Sequence, residues 1–176
     1  MPTFSEKFGL KGTVIAAVDL IFGIGVLAGL KPVKVKGATG YIDTNFEGKA
    51  EAAINSLYDN DISFVHIEAC DEASHEGSLE KKIKGITAID QRFLKTLLTG
   101  LEQFRDYRIL FCIDHPTPVK KKVHVADAVP FFIFDNRKRF SGVENFCEKS
   151  CAESNFFVEE GYKLINLLIN GEHKNG

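Results

Sequence analysis

The chain has 176 residues, 44% of them hydrophobic and 26% charged, which is the ordinary make-up of one globular domain with a real core. Lys and Arg number 22 against 24 Asp and Glu, a net charge of -2, so no basic stripe for nucleic acid or for an anionic membrane surface is expected. The longest apolar stretch, Thr13 to Leu30, is broken by Asp19 and by glycines, and fits neither a membrane span nor a signal peptide.

Taken in chain order, apolar runs alternate with helical patterns, which predicts an α/β fold. The expected form is a mostly parallel sheet with helices on both faces. Thr13 to Val18 reads as a buried strand, Asp19 to Leu30 as a short helix and Pro32 to Val35 as the next strand. Gly37 to Asn45 has turn chemistry, and Asn45 is placed to cap a helix to about Tyr58 on the stripe Ala50, Ala53, Ile54 and Leu57. Ile62 to Ala69 is a strand. A loop, Glu68 to Ser78, leads into one long helix from Leu79 to about Phe104, with Ser78 as its cap and Ile83, Ile86, Ile89, Phe93, Leu97 and Leu101 as its apolar face. Arg108 to Ile113 and Val129 to Phe134 are further strands. Glu144 to Ala152 and Val158 to Ile169 are helices, and 170–176 is expected to fray. No linker divides the chain, so 1–176 reads as a single domain. The 15 Phe, several in pairs such as Phe131-Phe132 and Phe156-Phe157, are expected to fill the core. Cys70, Cys112, Cys147 and Cys151 show no CxxC spacing and read as free thiols of a reducing cytoplasm.

Ligand sites in open parallel sheets lie past the carboxyl ends of the strands. Asp71 and His75 follow one such strand and, four apart on a helical turn, share a face. Asp114 and His115 follow another, and His124 comes nine residues after His115. Each residue alone also fits a bland role: a solvated helix start, a turn before Pro116, a surface loop. Together they form a carboxylate–imidazole set suited to Zn, Mn or Fe rather than Ca. His66, inside a strand, reads as structural, and His173, in the tail, as without a role.

Several runs resemble archaeal-type cofactor-independent (2,3-bisphosphoglycerate-independent) phosphoglycerate mutases of the alkaline phosphatase superfamily. They are VHIEACDEASHEG (Val65 to Gly77), DHPTP (Asp114 to Pro118), HVADAVPFF (His124 to Phe132) and GATGYIDTNFEGK (Gly37 to Lys49). AVDLIFGIGVLAG (Ala17 to Gly29) and FVEEGY (Phe157 to Tyr162) follow the same order. The resemblance implies an alkaline phosphatase-like core, present in part, with two divalent ions (Mn, Zn or Mg) and no organic cofactor. It implies Asp71, His75 and His124 on one ion and Asp114 and His115 on the other. The implied reaction moves the phosphoryl group between the hydroxyls of 2- and 3-phosphoglycerate through a phosphoserine. The family's nucleophilic Ser, and an Asp for the second ion, come from an N-terminal region not matched here. The expectation is therefore a fragment of a larger enzyme, inactive alone, that meets phosphoglycerate through the missing half. Thr39, Asp43 and Lys122 are candidate substrate contacts; a plain turn and a solvated basic loop account for them equally.

The sequence departs from the pattern at Cys70, where proline is usual, at Ser74 and Ser78, where Gly and Asp are, and at Lys122, where arginine is. Val123 and Val125 flank His124 in place of threonines, removing hydroxyls that would support it. Two alternatives stand beside the mutase. One is a related phosphotransfer enzyme, of the kind proposed as homoserine kinase or phosphonopyruvate decarboxylase. The other is a non-catalytic metal-binding scaffold. Strands lost with the missing half would leave an exposed sheet edge, open to self-association.

Overall fold

The computed structural model describes residues 2–138 and 142–171. Within it the chain forms two compact units, Met1–Gln103 with Thr117–Val123, and Phe104–Pro116 with His124–Gly176.

The first unit is built on a parallel sheet of three strands in the order β2-β1-β3. Its first helix, α1 (Phe4–Phe8), is held by a reciprocal cap: the Thr3 hydroxyl accepts from Glu6 N at 3.2 Å while Glu6 Oε2 accepts from Thr3 N at 2.7 Å. β1 (Gly12–Ile15) is buried along its whole length, as a central parallel strand must be. It pairs with β2 (Lys31–Pro32) on one side and with β3 (Ile62–Val65) on the other. Between β1 and β2 runs α2 (Asp19–Leu27), which lies so close to the sheet that a Cβ on Gly25 would stand 2.4 Å from Val14 Cγ1. β2 ends at Pro32, with Val33 N still donating to Val14 O at 2.9 Å, short of the Val35 that the sequence pattern suggested.

α3 (Phe46–Ser56) starts where Asn45 Oδ1 accepts from Gly48 N at 2.9 Å, and it buries Phe46, Ala50, Ala53 and Ile54. With Ala69 and Phe93, Phe46 and Ala50 form the core of this unit. The stretch after β3, expected as a loop, is a helix instead: α4 (Ala69–His75) buries Ala69, Ala73 and Ser74, and Gly77, at φ 77, turns the chain out of it. Ser78 then caps α5 (Leu79–Ala88), its hydroxyl accepting from Lys81 N at 3.2 Å.

The single long helix expected from Leu79 is three segments. A π-helical stretch, Ile89–Leu94, separates α5 from α6 (Lys95–Leu101). Its wider turn shifts the phase of the helix, so Phe93 and Leu101 are buried while Ile83 and Ile86, expected on the inner face, are each 54% exposed.

The second unit is built on an antiparallel pair, β4 (Arg108–Cys112) with β5 (Phe131–Asp135), where the sequence pattern suggested more parallel strands. An apolar run reads alike in either sense, and here opposite charges fix the register: Arg108 lies across from Asp135, Nε to Oδ2 2.9 Å. Arg108 Nη1 also donates to the carbonyl oxygens of Leu168 and Ile169, at 2.9 and 2.6 Å, which ties down the end of α8 (Leu164–Asn170). Phe111 stacks on Phe132 with ring centroids 5.3 Å apart, and Phe146 meets both edge-on. Phe157, expected in the core, is 72% exposed, and Phe156 is 42% exposed. α7 (Glu148–Glu153) is shorter than the expected helix from Glu144. Gly171 caps α8 at φ 66; residues 172–176, with His173, lie outside the described residues. No helix among the described residues is long and apolar enough to cross a membrane.

Candidate metal centre

In the first unit α4 carries Asp71 and His75 one turn apart, with His75 Nε2 3.2 Å from Asp71 Oδ2. The other ring nitrogen, Nδ1, lies 2.9 Å from the main-chain oxygen of Lys122. A carbonyl oxygen only accepts, so Nδ1 carries a proton and donates it. In a neutral ring Nε2 then presents its lone pair, and it faces a carboxylate oxygen. Two such acceptors at this spacing call for a positive charge shared between them, a proton or a cation. Bonds of about 2.0–2.2 Å from one ion to a His nitrogen and to a carboxylate oxygen place those two atoms at a comparable separation. The donor set therefore fits a divalent metal. Asp71 is held from its other side, where the Thr117 hydroxyl donates to Oδ1. Thr117 is 4% exposed, and its carbonyl accepts from Lys82 Nζ at 2.8 Å.

Lys122 is one of the three candidate substrate contacts. It sits at φ 57, which turns its carbonyl toward His75, and its ammonium donates to the Glu76 carbonyl oxygen at 3.3 Å. Thr39 and Asp43 bond to each other, Oγ1 to Oδ1 2.6 Å, while Thr39 N donates to the Thr44 hydroxyl at 2.9 Å. Cys70, next to Asp71, is pushed up in pKa by burial, so its thiol stays protonated at neutral pH.

In the second unit Asp114 and His115 lie just beyond the end of β4. Asp114 Oδ1 accepts from His115 N at 3.0 Å, and Asp114 Oδ2 is 3.2 Å from His115 Nε2. The Val125 N–H donates to Pro116 O at 3.0 Å and folds the intervening segment back. That places the His124 ring on the His115 ring, centroids 3.7 Å apart at 27°, with a nitrogen of each ring within 4.8 Å of one another. The sequence-predicted ligands thus come together as Asp71 with His75 and as Asp114 with His115 and His124. The Thr117 hydroxyl and the Lys122 carbonyl were missed. Thr117 lay inside a quoted motif but carried no signal of its own, and a main-chain carbonyl leaves no trace in a sequence.

α3 and α6 border a groove of about 620 Å³ lined by Glu51, Asn55, Lys95 and Thr99 together with the Glu47–Arg92 ion pair. It holds none of these ligands.

Carboxylate and imidazole side chains gathered just beyond strand ends are the donor types that hold a divalent metal. The chain belongs to the Metalloenzyme superfamily, whose family model matches residues 1–164. It is 47% identical over 170 residues to the probable 2,3-bisphosphoglycerate-independent phosphoglycerate mutase of Geobacter sulfurreducens, across 96% of this chain and 43% of that protein. It is 45% identical to the 2,3-bisphosphoglycerate-independent phosphoglycerate mutase of Methanothrix thermoacetophila, across 97% of this chain and 44% of that one. Among solved structures, the PH0037 protein from Pyrococcus horikoshii superposes with a TM-score of 0.85 at 26% identity, over 99% of this chain and 46% of that chain. The cofactor-independent phosphoglycerate mutase from Thermoplasma acidophilum superposes with a TM-score of 0.68 at 20% identity, over 97% of this chain and 39% of that chain, a likeness of fold. The chain spans less than half the length of the curated relatives it matches.

Proposed function

We propose that this chain is the metal-binding part of a phosphoglycerate mutase that interconverts 2- and 3-phosphoglycerate through a phosphoserine. Asp71, His75, Asp114, His115 and His124 are its ligands for divalent ions, of the Mn, Zn or Mg kind. The observation that carries the reading is the fixing of His75 through Nδ1, which turns Nε2 onto Asp71. The curated mutases matched along nearly the whole chain support the choice of reaction.

A bound divalent ion would polarise a phosphoryl oxygen and lower the pKa of an attacking hydroxyl. The chain's own groups prepare for that. Thr117 orients the Asp71 carboxylate, the Lys122 carbonyl selects the His75 tautomer, and Asp114 holds the His115 main chain. The relatives' remaining length is the proposed source of the serine, so the 176-residue polypeptide is expected to bind metal without turning over. Its expected setting is the cytoplasm, and it needs no organic cofactor.

Calorimetric titration with Zn²⁺ and Mn²⁺, beside an assay with 2- and 3-phosphoglycerate, tests the reading. Binding that Asp71→Asn weakens strongly, without turnover, is the expected result. A titration silent for both ions would overturn the metal assignment, and unaided turnover would overturn the half-enzyme assignment.

A further inference from the structure

Lys49 sits on the inner face of α3 among Phe46, Ala50, Ala53 and Ile54, and its side chain is 0% exposed. A buried ammonium survives only with partners, since nothing in an apolar core replaces its hydration. Lys49 Nζ donates to the His66 carbonyl oxygen at 3.0 Å. The His66 N–H in turn donates to Ile15 O on β1 at 2.8 Å, so the residue just past β3 is gripped from both sides.

Two residues on, Glu68 opens α4: its carbonyl accepts from Asp71 N at 2.8 Å and Glu72 N at 3.2 Å. The Glu68 side chain is 18% exposed, with Oε1 3.8 Å from His66 Nδ1. Among the described residues neither Glu68 Oε2 nor His66 Nδ1 has a hydrogen-bond partner. A Cβ on Gly40 would stand 3.1 Å from Glu68 Oε2, so the loop above leaves little room for the carboxylate to move. Burial pulls the Lys49 pKa down and the charge of Glu68 pulls it back; burial pushes Glu68 up, and His66 and Lys49 oppose that. Each charge thus offsets part of the other's desolvation, Lys49 wholly buried and Glu68 half-buried.

We propose that Lys49 is a positioning residue for the metal-binding helix. Its ammonium, bonded to the His66 carbonyl, sets the β3–α4 turn and thereby aims Asp71 and His75. The inference rests on the reading of Asp71 and His75 as metal ligands and adds a residue that touches neither ion nor substrate.

The test uses the full chain, Zn²⁺ as probe, and the variants Lys49→Met, Glu68→Gln and the pair combined, with Asp71→Asn as reference. Lys49→Met is expected to weaken Zn²⁺ binding by about 10–100-fold, the usual effect of losing a group that orients a ligand. It also lowers the Tm, because the buried bond to the His66 carbonyl is lost and half-buried Glu68 loses a charge that offsets part of its desolvation. The double variant recovers part of the Tm, since neither charge remains, yet its affinity stays low, since the bond to His66 is still absent. If Lys49→Met does not fold, the double variant alone carries the comparison. Wild-type affinity in either variant overturns the inference, as does recovery of Tm and affinity together. Should Asp71→Asn leave Zn²⁺ binding unchanged, the metal reading fails on its own. The metal-free ¹⁵N shifts of His75 then decide for Lys49: one held tautomer in the wild type and averaged shifts in the double variant support it. Identical shifts in both sink it.

Discussion

Thr117 shows how one hydroxyl can govern a ligand. It is 4% exposed and donates to Asp71 Oδ1, while the opposite oxygen of the same carboxylate faces His75 Nε2 at 3.2 Å. Removing the hydroxyl frees the carboxylate to rotate. Thr117→Val keeps the shape of the side chain and is expected to weaken Zn²⁺ binding about tenfold, the lower end for groups that support a ligand. The fold would lose about 1 kcal/mol, the worth of one ordinary hydrogen bond. Thr117→Ser restores the donor and should bind as the wild type does. Calorimetry on the three proteins makes the comparison; equal affinity in Thr117→Val would mean that Asp71 is held by other groups.

Among the elements, those written in short-range side-chain chemistry were legible from the sequence. Asn45 and Ser78 cap α3 and α5 where expected, and Asp71 and His75 share a face because they are four apart. What failed depended on distant partners. α4 has too short an apolar stripe to announce itself, the π-helical turn that carries buried Phe93 breaks the helical period, and the burial of Lys49 has no signal in the sequence. The β4–β5 register belongs with these, and it has a pH signature. Arg137, with Arg108, holds the Asp135 carboxyl well below its ordinary value of 3.8. A carboxylate whose folded pKa is lowered contributes stability that is present above the unfolded value and lost as pH falls through 3.8 toward the folded value. The second unit should therefore hold its stability at neutral pH and lose it in acid. Asp135→Asn is expected to cost about 3 kcal/mol at pH 7, the modest end for breaking a buried pair, because Arg137 is 42% exposed. It should also flatten the acid limb of a plot of Tm against pH. A variant with the wild-type acid limb would assign that limb to other carboxylates.

For the molecule as a whole, the open question is which surface another chain would meet. A three-stranded sheet has two edges, and they differ. β2 is two residues long and consists of Lys31 and Pro32, a charge and a residue that cannot donate, the usual means of blunting an edge. β3 has neither defence. It pairs with β1 on one side, where Ile62 N bonds Lys11 O and His66 N bonds Ile15 O. By alternation along the strand, the N–H groups of Ser63 and Val65 point the other way. A net charge of -2 gives little repulsion between copies. The proposal that follows is self-association through the outer side of β3, read as a mass in light scattering that rises with concentration. Val65→Pro removes one outward donor and leaves the pairing with β1 intact, so it should shift the protein to monomer while the far-ultraviolet circular dichroism stays the same. A wild-type chain that remains monomeric at all concentrations would defeat the proposal. Association that Val65→Pro leaves unchanged would move the contact elsewhere, with α2 the next surface to probe, since Leu20 and Leu27 on it are each 72% exposed.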